Sequence, residues 1–252
     1  MITLSPFRLS PFRLSPLQVL ELCKYSTIAD KETRSDLANG YIRDENDYTS
    51  NFTGTLRRNI NSHCRSGLKA ESFMLNTSEE RRMGCDATII IGTHDVFKIA
   101  VFEAKLPWKD GKYRANWDYE QTAAGLSHYS DQLDRQSHLM NMAVFEMFYC
   151  GFEFGKQPQH LQNEGSSCVW HHKAITFDKN RAKPKVSWKE AELIGLLSEQ
   201  CLPIGSIMKS ICECEEGRPL TMRGGIKDLI NEYKLEGNML FIEASPESPG
   251  AH

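Results

Sequence analysis

The stretch Gly84–Lys105, GCDATIIIGTHDVFKIAVFEAK, reads as two apolar strands joined by a short turn. Asp86 stands at the mouth of the first strand, and Glu103 and Lys105 close the second. Side chains alternate across a strand, so Glu103 and Lys105 share a face with Val101, Ile99 and Phe97, while Ala104, Phe102 and Ala100 line the other. A strand apolar on both faces belongs in the middle of a covered sheet. Charged groups at its end then need partners, because an isolated buried charge is costly. A tight antiparallel hairpin sets Asp86 and Glu103 at one end of the sheet. Two carboxylates there suit a hard divalent cation with oxygen ligands, Mg²⁺ or Mn²⁺.

Gly84-Cys85-Asp86, an apolar strand, a hairpin and a second strand ending Glu103-Ala104-Lys105 resemble the PD-(D/E)xK nuclease superfamily, with its restriction-endonuclease-like fold. The proline of that motif is replaced here by Gly84-Cys85. The resemblance covers roughly residues 44–152 and implies an α/β fold: an αβββαβ core with a mixed central sheet flanked by helices. It also implies roles. Asp86, Glu103 and the carbonyl of Ala104 would hold Mg²⁺ or Mn²⁺, and Lys105 would hold a nucleophilic water or contact phosphate oxygens. In several branches the following helix supplies a glutamine, for which Gln132 is favoured, with Gln136 and Gln121 behind it. An acidic residue from the first helix (Glu45 or Asp47) or from the turn (Glu80) is a further candidate.

The chain has 252 residues, enough for one sizeable core. A mean hydropathy of −0.46 and the lack of a long apolar run argue against a membrane partner. Eight cysteines without a CxxC pair, and an N-terminus without a signal-type apolar segment, read as reduced thiols in a cytoplasmic protein. Cys212 and Cys214, with His171 and His172, lack convincing zinc spacing and read as ordinary thiols. A net charge of −3 excludes coating nucleic acid by bulk charge, but not a nuclease whose acidic site is neutralised by metal.

Residues 1–40 read as a leader: LSPFR stands twice in tandem, a short helix covers Leu17–Lys24, and Ser26–Gly40 is polar surface. Residues 41–245 read as a single domain. Asp44 caps a helix with Tyr48, Phe52, Leu56 and Ile60 in one stripe. Leu68–Leu75 is an edge strand, Asp118–Leu139 a long helix with Leu126, Tyr129, Leu133 and Met140 along it, and Asn141–Phe152 a strand. Ser167–Phe177 reads as another strand, with His171 and His172 on opposite faces. Ser187 opens a helix by a capping box with Glu190, turning Ala191, Ile194 and Leu197 inward. Helices over Pro203–Cys214 and Ile226–Tyr233 and a strand over Asn238–Ala244 complete a C-terminal elaboration spanning 187–245. Residues 246–252 read as a disordered tail.

Lys109, Lys112 and Arg114, with Arg57 and Arg58, are the candidate phosphate contacts. Trp108, Tyr113 and Trp117 lie among or beside the first three and suit either base stacking or packing on the protein's own core. The expectation is a Mg²⁺-dependent nuclease acting on DNA rather than RNA, of restriction, phage-defence or mobile-element type. A catalytically inactive nuclease-fold protein serving as a binding or assembly module is the alternative. Relatives of that kind often act as dimers, so a homo-oligomer is compatible with the expectation.

Overall fold

Strand β2 (Ala87–Thr93) and strand β3 (Val96–Trp108) pair antiparallel from Ala87↔Phe102 to Thr93↔Val96. His94 turns the chain between them in a left-handed conformation, φ 59°. In this computed structural model the described residues are 12–74, 84–108, 117–118, 126–150, 161–162, 164–184, 186–235 and 237–245. Among them the hairpin is the centre of a seven-stranded mixed sheet of order β1-β7-β2-β3-β4-β5, with the short β6 (Leu220–Thr221) paired to β3.

The first edge is β1 (Leu68–Met74), as its polar content predicts. Its neighbour is not β2 but β7 (Asn238–Ala244), which runs antiparallel to β1 and parallel to β2. A strand read as part of a C-terminal elaboration is therefore central. Leu240 and Ile242 bury into one core and Met239 into another, so both faces of β7 demand cover. On the far side β4 (Ala143–Cys150) runs parallel to β3 and β5 (Ser167–Trp170) antiparallel to β4. A parallel β3–β4 pair requires a crossover rather than a tight turn, and helix α3 (His128–Gln136) lies in it.

Helices cover both faces. Against Ala100, Phe102 and Ala104 lie α1 (Pro16–Ala38), α2 (Glu45–His63) and α6 (Ile204–Cys212). The α2 stripe Tyr48, Phe52, Leu56 and Ile60 is fully buried there, and Asp44 is its N-cap. Against the other face lie α3, α4 (His171–Asn180) and α5 (Glu190–Gln200) around Trp117, Tyr129, Phe148 and Trp188, and α7 (Ile226–Tyr233) around Ile99 and Val101. No described helix is long and apolar enough to cross a membrane.

Four sequence readings are corrected. First, α1 is one 23-residue helix begun by the Ser15–Gln18 capping box with Pro16 in its first turn. Its polar half is not surface, since Ser26, Asp30, Thr33 and Arg34 are buried, and Phe12 and Leu14 from the repeat pack into the same core. Second, α3 starts at His128, capped by Ser127. Leu126 forms a bridge to Val186 instead and is exposed, as is Met140. Third, Ser167–Phe177 is a strand for only four residues and becomes α4 at His171. Fourth, α5 begins two residues later than the Ser187 box: the Lys189 amide donates to Glu192 (2.8 Å), and Leu193, Leu196 and Leu197 face inward. Trp188 is held back by donating its amide to the buried Asp118 carboxylate, 2.8 Å away.

Candidate active site

The end of β3 that carries Glu103 and Lys105 opens into a cleft of about 660 Å³. Its walls come from the start of α2 (Asn46), the Gly84–Asp86 turn, α3 (His128, Asp131, Gln132, Arg135) and the start of β7 (Asn238). Gly84 is required by the packing of that turn on α3. It adopts φ +67°, and a Cβ there would stand 3.2 Å from the Gln132 carbonyl oxygen. Gln136 ties the same turn down by donating to the Gly84 carbonyl at 2.6 Å.

Glu103 is buried and accepts from both Lys105 Nζ (2.6 Å) and Gln132 Nε2. Asp86, half-buried at the start of β2, accepts the Ala104 amide hydrogen at 2.7 Å. Glu45, in the first turn of α2, accepts from the Leu106 amide (3.0 Å) and lies 4.0 Å from Lys105 Nζ. The structure thus brings Asp86, Glu103, Lys105, Gln132 and Glu45 together. Asp47 is exposed and receives the Arg43 amide instead. Gln136 serves the turn rather than Glu103, while Gln121 and Glu80 lie outside the described residues.

Burial dominates the electrostatics. It pushes the Glu103 carboxyl up to about 8, with the Asp86 and Glu146 charges adding to it and Lys105 opposing. Asp86 is raised to about 6, again by burial first, against the pull of Lys105 and the Ala104 amide. For Lys105 burial works against the charge, but Glu103, Glu45 and Asp86 outweigh it and hold the ammonium protonated. His128 is lowered by burial and by Lys105. Cys85, on the cleft wall, is raised well above a normal thiol by burial and by Glu103, so it is no thiolate nucleophile.

No protein-family model, curated protein or solved structure matches the chain.

One buried acid beside Glu103 went unnoticed in the sequence. Glu146 on β4 is the register partner of Glu103 and is wholly buried within an apolar strand. Only its being a lone acid in AVFEMFYC marks it in the sequence. Beside it His171, at the start of α4, meets Gln136 at 2.9 Å, whereas the neighbouring His172 is exposed.

The candidate nucleic-acid contacts fare differently. Lys109, Lys112, Arg114 and Tyr113 lie outside the described residues, as does the side chain of Trp108. Arg57 and Arg58 sit about 18 Å along α2 from Glu45, at 1.5 Å per residue, and do not line the cleft. Arg58 donates to Thr55 Oγ1 at 2.7 Å. Trp117 is a core residue, packed against Tyr129, Phe148 and Trp188, and is not available for stacking on bases. The cations that do line the cleft are Arg135, paired with Asp131 at 3.1 Å, and His128 when protonated.

Oxygen donors and an excess of buried negative charge fit a hard divalent cation. Among the described residues no group of three or more His, Cys, Asp or Glu side chains is so placed in this structure that it could hold a metal ion. Glu103 is turned to Lys105 and Gln132, and Asp86 to the Ala104 amide. All eight cysteines are free thiols.

Proposed function

We propose that the chain is a metal-dependent nuclease that hydrolyses phosphodiester bonds, with DNA favoured over RNA, built on a restriction-endonuclease-like arrangement of its mixed sheet. The observation that carries this reading is the convergence on Glu103. One buried carboxylate at the open end of a central strand is held by Lys105 and Gln132, with Asp86 at the same sheet end and a cleft in front.

Bound Mg²⁺ or Mn²⁺ would supply an acidified water and neutralise charge on the attacked phosphate. Asp86 and Glu103 are the residues to hold it, with the Ala104 carbonyl as third ligand on the strength of the resemblance. Lys105, a compact charge on a flexible stem, holds the attacking water or a phosphate oxygen. Gln132 fixes the orientation of Glu103 by its amide hydrogen. His128 and Arg135 face the cleft, where a backbone phosphate would pass.

The test is cleavage of circular single-stranded and supercoiled double-stranded DNA with Mg²⁺, Mn²⁺ or EDTA, beside Glu103→Ala. Cutting that needs the metal and is lost in the variant supports the reading. Cutting that survives in the variant places the activity elsewhere and removes it.

A further inference from the structure

Glu146 is the most exposed question in the interior of the protein. It is 0% solvent-accessible, and neither of its carboxylate oxygens has a hydrogen-bond partner. Two other buried carboxylates among the described residues are well supplied with donors: Asp118 accepts from Ser127, Tyr129 and Trp188, and Asp30 from Tyr48 and Ser166. The nearest cationic group to Glu146 is His171, whose Nδ1 lies 3.6 Å from Oε1, beyond hydrogen-bonding reach. The hydrogen on that nitrogen goes instead to Gln136 Oε1 at 2.9 Å, an amide oxygen that can only accept. The Gln136 amide nitrogen donates to Gly84, which fixes the amide this way round.

The sheet gives this orphan an address. Glu103 and Glu146 are register partners on parallel strands, so they project from the same face. Strands so paired lie about 4.8 Å apart. The β2–β3 ladder ends at Ala87↔Phe102; the Asp86 amide donates to the Phe102 carbonyl at 2.9 Å and its carboxylate accepts from the Ala104 amide at 2.7 Å, which sets Asp86 beside Glu103. Glu103 and Glu146 therefore stand side by side on neighbouring strands, with Asp86 next to them at the start of β2. When ionised, these three and Glu45, 4.0 Å from Lys105 Nζ, have one ammonium among them, Lys105, so negative charge is in excess around Glu103 and Glu146. An excess of negative charge in low dielectric is what a bound divalent cation relieves.

Resting on the reading of Asp86 and Glu103 as a cation site, we infer that Glu146 is its third carboxylate, a buried negative charge beside Glu103 that strengthens the hold on a single divalent ion. Its unmet hydrogen-bonding capacity is then what the ion would satisfy. A carboxylate kept there for packing alone would have acquired donors, as Asp30 and Asp118 have.

The experiment is titration of the metal-stripped full-length chain with Mn²⁺, followed by electron paramagnetic resonance, for the wild type, Glu146→Gln, Glu146→Asp and Asp86→Asn. Thermal melting in EDTA accompanies each. The expected result is a weakening of Mn²⁺ binding on the order of tenfold or more in Glu146→Gln, with metal-free melting unchanged or raised because a buried like charge is gone. Glu146→Asp, which keeps the charge, retains binding within a few-fold, and it decides the matter if Glu146→Gln does not fold. Binding in Glu146→Gln within twofold of wild type, while Asp86→Asn loses it, overturns the role of Glu146 and leaves the site standing. A loss in Glu146→Asp as large as that in Glu146→Gln also overturns it, since shape rather than charge would then matter. A wild type that binds no Mn²⁺ overturns site and inference together.

Discussion

Two groups of buried acids lie on opposite faces of one sheet, and they are built on opposite principles. Asp30, on α1, is fully enclosed and accepts from Tyr48 Oη (2.8 Å), the Ser166 amide (2.6 Å) and Ser166 Oγ (2.6 Å). It ties α1 and α2 to the loop before β5, and both of its carboxylate oxygens have donors. The group Asp86, Glu103 and Glu146 has one lysine, one glutamine and one backbone amide among three carboxylates. A fold has no reason to bury charge so poorly compensated unless something else completes it. Saturation makes Asp30 a structural acid, and the deficiency around Glu103 and Glu146 is what the proposed cation would meet.

The sharpest way to break this contrast is Lys105→Ala. The proposed function predicts a fall in metal-dependent cleavage of about a thousandfold or more, as for loss of a group acting at the reacting phosphate. A fall of less than tenfold in a single-turnover assay would make Lys105 a structural counter-ion only. Asp30→Ala should do the reverse. Removing it leaves the buried Ser166 amide without its acceptor and takes one partner from the Tyr48 hydroxyl, which keeps Ser166 Oγ at 3.1 Å, and should cost about 2 kcal/mol in urea unfolding. The cleavage rate per folded molecule should stay within twofold. If activity fell with stability held, the Asp30 cluster would belong to the site.

The pH dependence of the metal-free protein is a smaller effect. Asp30, Asp86 and Glu103 all have carboxyls raised by burial, Asp86 to about 6 and Glu103 to about 8. A raised carboxyl contributes stability that is complete below its unfolded value near 4 and is lost as pH rises through the folded value. Melting in EDTA should therefore fall from pH 5 to pH 8, with Asp86→Asn removing the part near pH 6. That part amounts to roughly 2–4 °C for each kcal/mol in a chain of this size. Melting that rose over that interval would mean these carboxyls are stabilised as anions without metal.

How much of this was legible in the sequence follows from which interactions are local. The hairpin, the α2 stripe and the limits of α7 and β7 rest on period and capping, and they stand as read. The length of α1 was hidden because its second half is buried through polar contacts to residues far away in sequence, such as Ser166. The start of α4 carries no side-chain cap, so nothing in SCVWHHKAITF separates a strand from a helix. The placement of β7 and the meeting of Glu103 with Glu146 depend on non-local strand pairing, which periodicity does not encode. Asp86, Glu103, Lys105 and Gln132 were legible because a hairpin is local and a resemblance named them.

The most direct measurement is the Mn²⁺-induced shift in melting temperature at pH 7.5 for the wild type, Asp30→Asn and Asp86→Asn. An ion that binds only the folded state stabilises it in proportion to the logarithm of its concentration over its dissociation constant. The account predicts an upward shift of several degrees (roughly 2–4 °C per kcal/mol) in the wild type, the same shift from a lower baseline in Asp30→Asn, and none in Asp86→Asn. No shift in the wild type, or an equal shift in Asp86→Asn, would contradict it.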